Sequence, residues 1–166
     1  MKSVKQKVPG YPDLHWCWYS LENMKPVLLY DLLALREAIF VVEQSCIYQE
    51  LDGLDKTAQH LLITQEETVV ACLRVLLPET LVDRVRIGRV AVSPGFRNRG
   101  LARFMVRNAN EKIEVDYPSR GICLDAQTYL KEFYLSMGFQ VCGDEFLEDG
   151  IPHIPMQKKR SRVVTS

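Results

Sequence analysis

Residues 85–109 read VRIGRVAVSPGFRNRGLARFMVRNA, and this stretch is the most informative about the fold. Its first part, residues 85–92, is mostly apolar and β-branched, which favours a strand, and Gly88 within it indicates a bulge or a close backbone approach. From Gly100 onward, apolar residues recur at the spacing of an amphipathic helix. The stretch therefore predicts a strand, a short turn and a helix in direct succession.

The turn between these two elements has the composition of an anion-binding site. It consists of Arg97, Asn98, Arg99, Gly100, Leu101 and Ala102. The first N–H groups of a helix lack intrahelical acceptors and carry partial positive charge, so phosphate oxygens can accept hydrogen bonds from them. Gly100 permits a close backbone approach, and the arginines add charge. The alternative is an ordinary turn with solvated arginines. The absence of GxGxxG and GK[S/T] patterns disfavours dinucleotide and nucleoside triphosphate sites.

The composition is that of an ordinary globular protein. Of 166 residues, 47% are apolar, and 21 basic side chains balance 21 acidic ones. This size favours one domain, and the balance gives no reason to expect nucleic acid or an anionic membrane as partner. We find no apolar run that could span a membrane and no secretory signal. The five cysteines form no CxxC pair, which argues against disulfides or a metal site and predicts a cytoplasmic location.

The rest of the chain adds strands and helices around the central stretch. Predicted strands cover residues 14–19, 60–64, 69–77, 85–92, 122–126, 139–142 and 151–157, and predicted helices cover residues 26–43, 100–117 and 128–137. We expect a flexible N-terminal arm over residues 1–13, a single domain over residues 14–158 and a C-terminal tail over residues 159–166. The order β-α-β-β-β-α-β-α-β-β predicts an α/β (mixed α+β) fold, with a mixed sheet and helices on both faces.

At this point the sequence resembles the GNAT N-acetyltransferases. Arg97-x-x-Gly100-x-Ala102 after a strand is similar to the Q/R-x-x-G-x-G/A signature of that family, and residues 127–139 (QTYLKEFYLSMGF) are similar to its N-x-x-A-x-x-x-Y-x-x-x-G-F block. Residues 35–61, 87–92, 126–134 and 148–156 resemble the ElaA-type subgroup. The resemblance covers residues 14–158 and implies a mostly antiparallel sheet, splayed between strands 4 and 5 (residues 85–92 and 122–126).

The resemblance also implies how an acetyl-CoA cosubstrate binds. The backbone of Val90, Ala91 and Val92 should pair with the pantetheine arm, and residues 97–102 should hold the pyrophosphate. Gln127 should lie near the pantetheine or at the end of the splayed strand.

For the reaction, the resemblance implies direct acetyl transfer to an amine in a ternary complex. A backbone N–H, that of Val92, should stabilise the oxyanion, and Tyr134 should protonate the departing thiolate. The amine must be neutral to attack, so a base has to remove a proton. The family does not fix this base at one position, and the candidates here are Glu43, Glu50, Asp125 and Glu148.

Several alternatives remain open at this stage. Tyr134 could be a core aromatic residue, and His60 and His153 are interpreted as core or loop histidines rather than metal ligands or nucleophiles. Glu50, with Asp52 and Asp55, is expected in a solvated or substrate-facing acidic loop. The protein could also be a non-catalytic acyl-CoA-binding or sensing module, or a domain for another phosphate ligand. The sequence is compatible with a monomer or a homodimer.

Overall fold

The computed structural model of the protein describes residues 4–78 and 84–159. The strands are β1 (Gln6–Val8), β2 (Tyr11–Tyr19), β3 (Gln59–Gln65), β4 (Thr68–Leu76), β5 (Val85–Val92), β6 (Ile122–Gln127), β7 (Gln140–Val141), β8 (Phe146–Glu148) and β9 (Ile151–Lys158). The helices are α1 (Pro26–Glu37), α2 (Leu101–Asp116) and α3 (Lys131–Leu135), and a π-helical segment, Ala38–Glu43, continues α1. Short 3₁₀ helices cover Leu21–Asn23, Leu54–Thr57, Pro94–Phe96 and Thr128–Leu130.

All nine strands belong to one sheet, ordered β1-β2-β3-β4-β5-β6-β9-β7, with β8 also paired to β9. Every pairing is antiparallel except that of β5 with β6, which is parallel. The connection between these two parallel strands contains α2, as a parallel crossover requires. The predicted mixed, mostly antiparallel sheet is confirmed.

Helices cover both faces of the sheet, as predicted. On one face, α2 buries a stripe at helical spacing against β3, β4 and β5. The stripe consists of Leu101, Met105, Ala109 and Ile113. On the opposite face, α1 buries Leu28 and Leu32, and Ile39 follows in the π-helical segment; they pack against Leu62 and Cys72. We name the two sides of the sheet the α2 face and the α1 face.

The N-terminal segment differs from the flexible arm expected over residues 1–13. Gly10, with φ of +81°, permits a tight turn, so β1 folds back onto β2, and β2 begins at Tyr11. Val8 is buried in the core of the α2 face. Pro9, Gly10 and Pro12, which are typical of a loose segment, therefore belong to a hairpin. Residues 1–3, and residues 160–166 of the expected C-terminal tail, lie outside the described residues.

Candidate active site

The sheet opens between its two parallel strands. Strands β5 and β6 pair only through Val85 with Ile122 and Arg86 with Cys123. Beyond these pairs, the carboxyl-terminal halves of the strands are not paired with each other. The predicted splay therefore lies between β5 and β6. We call this opening the gap.

A bulge in β5 lies at the start of the gap. Cys72 of β4 is opposite Ala91, and Arg74 is opposite Gly88, so two residues of β5, Arg89 and Val90, face one residue of β4. Arg89 has φ of +51°, a left-handed conformation that is unfavourable for a residue with a long side chain. The bulge expected near Gly88 is thus present one residue later.

The bulge also fixes which backbone groups of β5 face the gap. The N–H of Ser93 donates to the carbonyl of Val70 in β4, over 2.8 Å. Because successive residues of a strand direct their N–H groups to opposite sides, the N–H of Val92 is directed away from β4, towards the gap. The carbonyl of Val92 accepts a hydrogen bond from Arg97 Nε at 3.0 Å. Val92 therefore has an N–H available on the gap side.

The RNRGLA turn lies directly after β5 and opens α2. Gly100 precedes the helix with φ of +74°, and apart from its chain neighbours no atom of residues 4–78 and 84–159 lies within 4 Å of the position that a Cβ would occupy there. The N–H groups of Leu101, Ala102 and Arg103 lack intrahelical acceptors because they begin the helix, and no side chain caps this helix start. The hydroxyl of Tyr11 donates to the carbonyl of Arg99 at 2.8 Å and supports the turn. The geometry is that of an open anion site at a helix N-terminus.

The arginines of this region are held by aromatic rings and by one carboxylate. Arg97 Nη2 donates to both carboxylate oxygens of Glu43, at 2.9 and 2.8 Å. The guanidinium of Arg99 lies 5.1 Å from the Phe96 ring centroid. That of Arg103, which our sequence analysis did not single out, lies 5.3 Å from the Phe133 ring centroid. Since Arg103 is one helical turn from Arg99, helical spacing could have identified it.

Tyr134 lies in α3, directly after Phe133. It is buried, and its ring contacts Phe133 and Phe139 edge to face, with centroids 5.0 and 5.8 Å apart. Burial, and then the nearby Tyr129, raise the pKa of Tyr134 to about 12. A phenol with this pKa stays protonated at neutral pH, so it can donate a proton but is not an anion itself. The ring is thus part of the core, and the hydroxyl keeps its proton at neutral pH.

Comparison with known proteins identifies the family. Residues 30–160 match the model of the acetyltransferase (GNAT) domain. Protein ElaA of Escherichia coli is 37% identical over 90% of this chain and 95% of its own length. The chain belongs to the GNAT acetyltransferase family. The crystal structure of E. coli ElaA covers 88% of this chain and 99% of its own, with 35% identity and a TM-score of 0.83. That of an acyl-CoA N-acyltransferase from Pseudomonas aeruginosa has the same coverage and TM-score, with 36% identity.

For this GNAT domain, the structure also locates Gln127. It ends β6 on the α1 face, and its side-chain amide donates to Gln44 Oε1 at 3.0 Å. Gln44 immediately follows the π-helical segment of α1. The two amides therefore connect the carboxyl end of β6 to the end of the π-helical segment, and the position of Gln127 beside the pantetheine stays a prediction.

The four base candidates have very different surroundings. Glu43 is paired with Arg97, and Asp125 is paired with Arg86 across the parallel strands. Glu50 is buried among arginines. Glu148 is half exposed on β8, and its Oε2 lies 3.6 Å from His153 Nε2. Of the four, only Glu148 has no arginine within ion-pair distance among the described residues.

The expectation that the acidic residues at positions 50–55 form a solvated or substrate-facing loop is wrong. Glu50 and Asp55 are each only 7% exposed, and both ion-pair with Arg36, which is 1% exposed. Arg74 pairs with Asp52 and Asp55, and Arg89 pairs with Glu50 at 2.7 Å. These side chains form a charge-balanced network between α1 and the sheet. Glu50 is not a base, because arginines occupy its oxygens.

The network has clear electrostatic consequences. Burial raises the pKa of Asp52, but hydrogen bonds from Arg74 and Leu54 outweigh it, and the pKa falls to about 2. Burial opposes ionisation of Asp55 too, yet Arg36 and Arg74 lower its pKa below the ordinary value. His60, buried beside them, has its pKa lowered mainly by burial, so it is neutral at physiological pH. The sequence interpretation of His60 as a core histidine agrees with its 1% exposure.

Two further properties bear on the class of site. Within residues 4–78 and 84–159, no cluster of His, Cys, Asp or Glu side chains is arranged to hold a metal ion. In the same part of the chain, we find no helix with the length and apolar character that a bilayer crossing needs.

Proposed function

We propose that this protein is an acetyl-CoA-dependent N-acetyltransferase that transfers the acetyl group directly to a primary amine in a ternary complex. One observation carries the proposal: a gap in the sheet has an open helix start and a free N–H of Val92 at its β5 side. We assign the β6 side of the gap to Tyr134 of α3, whose phenol stays protonated at neutral pH. Membership of the GNAT family supports the same assignment.

The cosubstrate is proposed to lie along β5 and the RNRGLA turn. The pyrophosphate of acetyl-CoA would accept hydrogen bonds from the N–H groups at the start of α2, with the charge of Arg99 and Arg103 nearby. Gly100 supports this arrangement because open space surrounds its Cβ position. The pantetheine arm would pair with the backbone of Val90, Ala91 and Val92, and Gln127 would border it at the end of β6.

The chemistry follows from the groups around the gap. The neutral amine attacks the thioester carbonyl, and the N–H of Val92 stabilises the negative charge that develops on the carbonyl oxygen. The intermediate then releases the CoA thiolate, to which Tyr134 donates its proton. The protonated state of Tyr134 at neutral pH supports this acid role. Burial also separates the donor from bulk water.

The experiment measures CoA release with a thiol reagent, using acetyl-CoA and a panel of primary amines. We expect turnover with at least one amine, and Tyr134→Phe should lower kcat about 100-fold, since general acids contribute about 10²–10⁴-fold. Tyr30→Phe is the matched control because Tyr30 is 74% exposed on α1. Binding of acetyl-CoA without turnover of any amine would instead favour an acyl-CoA-sensing module, and equal rates for Tyr134→Phe would remove Tyr134 from the mechanism.

A further inference from the structure

The acceptor amine needs a proton acceptor, and most carboxylates near the gap are already neutralised. Glu43, Glu50 and Asp125 each form an ion pair with an arginine. One pair of side chains on the hairpin formed by β8 and β9 has no arginine of residues 4–78 or 84–159 within ion-pair distance. It consists of Glu148 and His153.

The backbone register places His153 next to Gln127, the residue that ends β6. His153 of β9 is directly opposite Gln127 of β6, and opposite residues of an antiparallel pair project from the same face of the sheet. Gln127 points to the α1 face, where it bonds Gln44. In addition, Cys46 Sγ lies 3.2 Å from the carbonyl of Asp149 and links the hairpin turn to the segment after α1. His153 therefore lies beside the last residue of β6, one strand removed from the gap between β5 and β6.

The hydrogen bonds of His153 determine its tautomer. Its Nδ1 is 2.8 Å from the carbonyl oxygen of Ile151, and a carbonyl only accepts, so Nδ1 carries the proton. In the neutral ring, Nε2 then carries a lone pair, and it lies 3.6 Å from Glu148 Oε2. In that neutral form of the ring, Nε2 and the carboxylate oxygen are both acceptors. A proton added to Nε2 would convert this contact into an attraction between imidazolium and carboxylate.

We propose that His153 is the general base that deprotonates the acceptor ammonium, and that Glu148 is a positioning residue that stabilises the resulting imidazolium. The proposal rests on the proposed function. The other charged groups around the pair are Asp125 and its partner Arg86, which also interacts electrostatically with Glu148. Asp125 is neutralised by its arginine, so Glu148 is the carboxylate that remains for the imidazolium.

The proton balance is complete without any further reactant. The ammonium gives one proton to Nε2 of His153, from which it passes to solvent. The neutral amine forms the C–N bond, the C–S bond breaks, and the thiolate takes the proton of Tyr134. The new amide nitrogen loses its second proton, which restores the Tyr134 phenol. The net products are the N-acetyl amine, CoA thiol and one proton released to solvent.

The test compares two nucleophiles that differ in charge. The first is the best acceptor of the amine panel, which is an ammonium at pH 7, and the second is methoxyamine, which is already neutral there. His153→Asn keeps a donor for the Ile151 carbonyl but has no basic nitrogen. It should lower kcat/KM about 100-fold with the ammonium acceptor and less than about 3-fold with methoxyamine. Glu148→Gln should show the same asymmetry with a smaller loss.

The controls separate this role from a structural one. His15→Asn and Glu145→Gln, which alter side chains outside the gap, should leave both nucleophiles unaffected. His153→Gln provides a second variant if His153→Asn does not fold, and acetyl-CoA binding should be unchanged in either. An equal loss with both nucleophiles, or no loss, would overturn the assignment of His153 alone. If the wild-type protein acetylates neither the panel nor methoxyamine, the proposed function fails and this inference fails with it.

Discussion

Glu50→Gln tests the buried charge network most severely. Glu50 Oε1 accepts hydrogen bonds from Nε of Arg36 and of Arg89, each at 2.7 Å, and Oε2 accepts one from Arg36 Nη2 at 2.9 Å. Glutamine keeps one acceptor, places an N–H₂ group against a guanidinium, and leaves the network with one excess positive charge. Breaking a buried ion pair by removing one partner costs about 3–5 kcal/mol. We expect a loss of this size in the free energy of unfolding.

Urea denaturation provides the assay, and Trp16 and Trp18 on β2 provide the fluorescence signal. With a slope of about 2 kcal/mol per molar urea, a loss of 4 kcal/mol lowers the midpoint by about 2 M. Glu67→Gln is the matched control, because Glu67 pairs with Lys5 on the surface and its side chain is 81% exposed. The control should change stability by less than about 1 kcal/mol. If Glu50→Gln lowers the free energy of unfolding no more than the control does, Glu50 does not balance buried charge in the network.

Two further predictions concern the same network and the bulge. The folded pKa of Asp52, about 2, lies below the unfolded value of about 4, so its stabilisation is present above that value and is lost as pH falls towards 2. The free energy of unfolding should therefore fall less steeply with decreasing pH in Asp52→Asn than in the wild type. Parallel curves for the two proteins would contradict the Arg74 contact. At Arg89, with φ of +51°, Arg89→Ala should be about 1 kcal/mol less stable than Arg89→Gly in urea denaturation, and equal stability would contradict a strained bulge.

The sequence predicted the elements whose apolar residues follow a regular period. The apolar stripe of α2 and the alternation of residues in β6, which appears as alternating burial in the structure, predicted the type and the approximate ends of these two elements. The segment β8 was missed, because its three residues, Phe146–Glu148, are exposed and too short to show a period. The hairpin of β1 was missed for a related reason, since Gly10 allows a turn that looks like a loose segment in the sequence.

The parts of the site that depend on long-range contacts could not be predicted. RNRGLA is local in the chain, so its helix-start geometry followed from its composition. In contrast, Arg36 and Glu50 are separated by 14 residues, and Arg89 and Glu50 by 39, so no local pattern indicates that these charges neutralise each other. His153 looked like a loop histidine because the contacts that orient it come from the register of β9 against β6 and β8.

The helix start after β5 is proposed to hold the pyrophosphate of acetyl-CoA. Calorimetric titration of acetyl-CoA into the wild type and into Gly100→Glu tests it most directly, since the new carboxylate would point into the open space beside the helix N-terminus. We expect saturable binding by the wild type, no measurable binding by Gly100→Glu, and a retained fold in the variant. Equal affinity in a folded Gly100→Glu protein, or no binding by the wild type at millimolar acetyl-CoA, would contradict it.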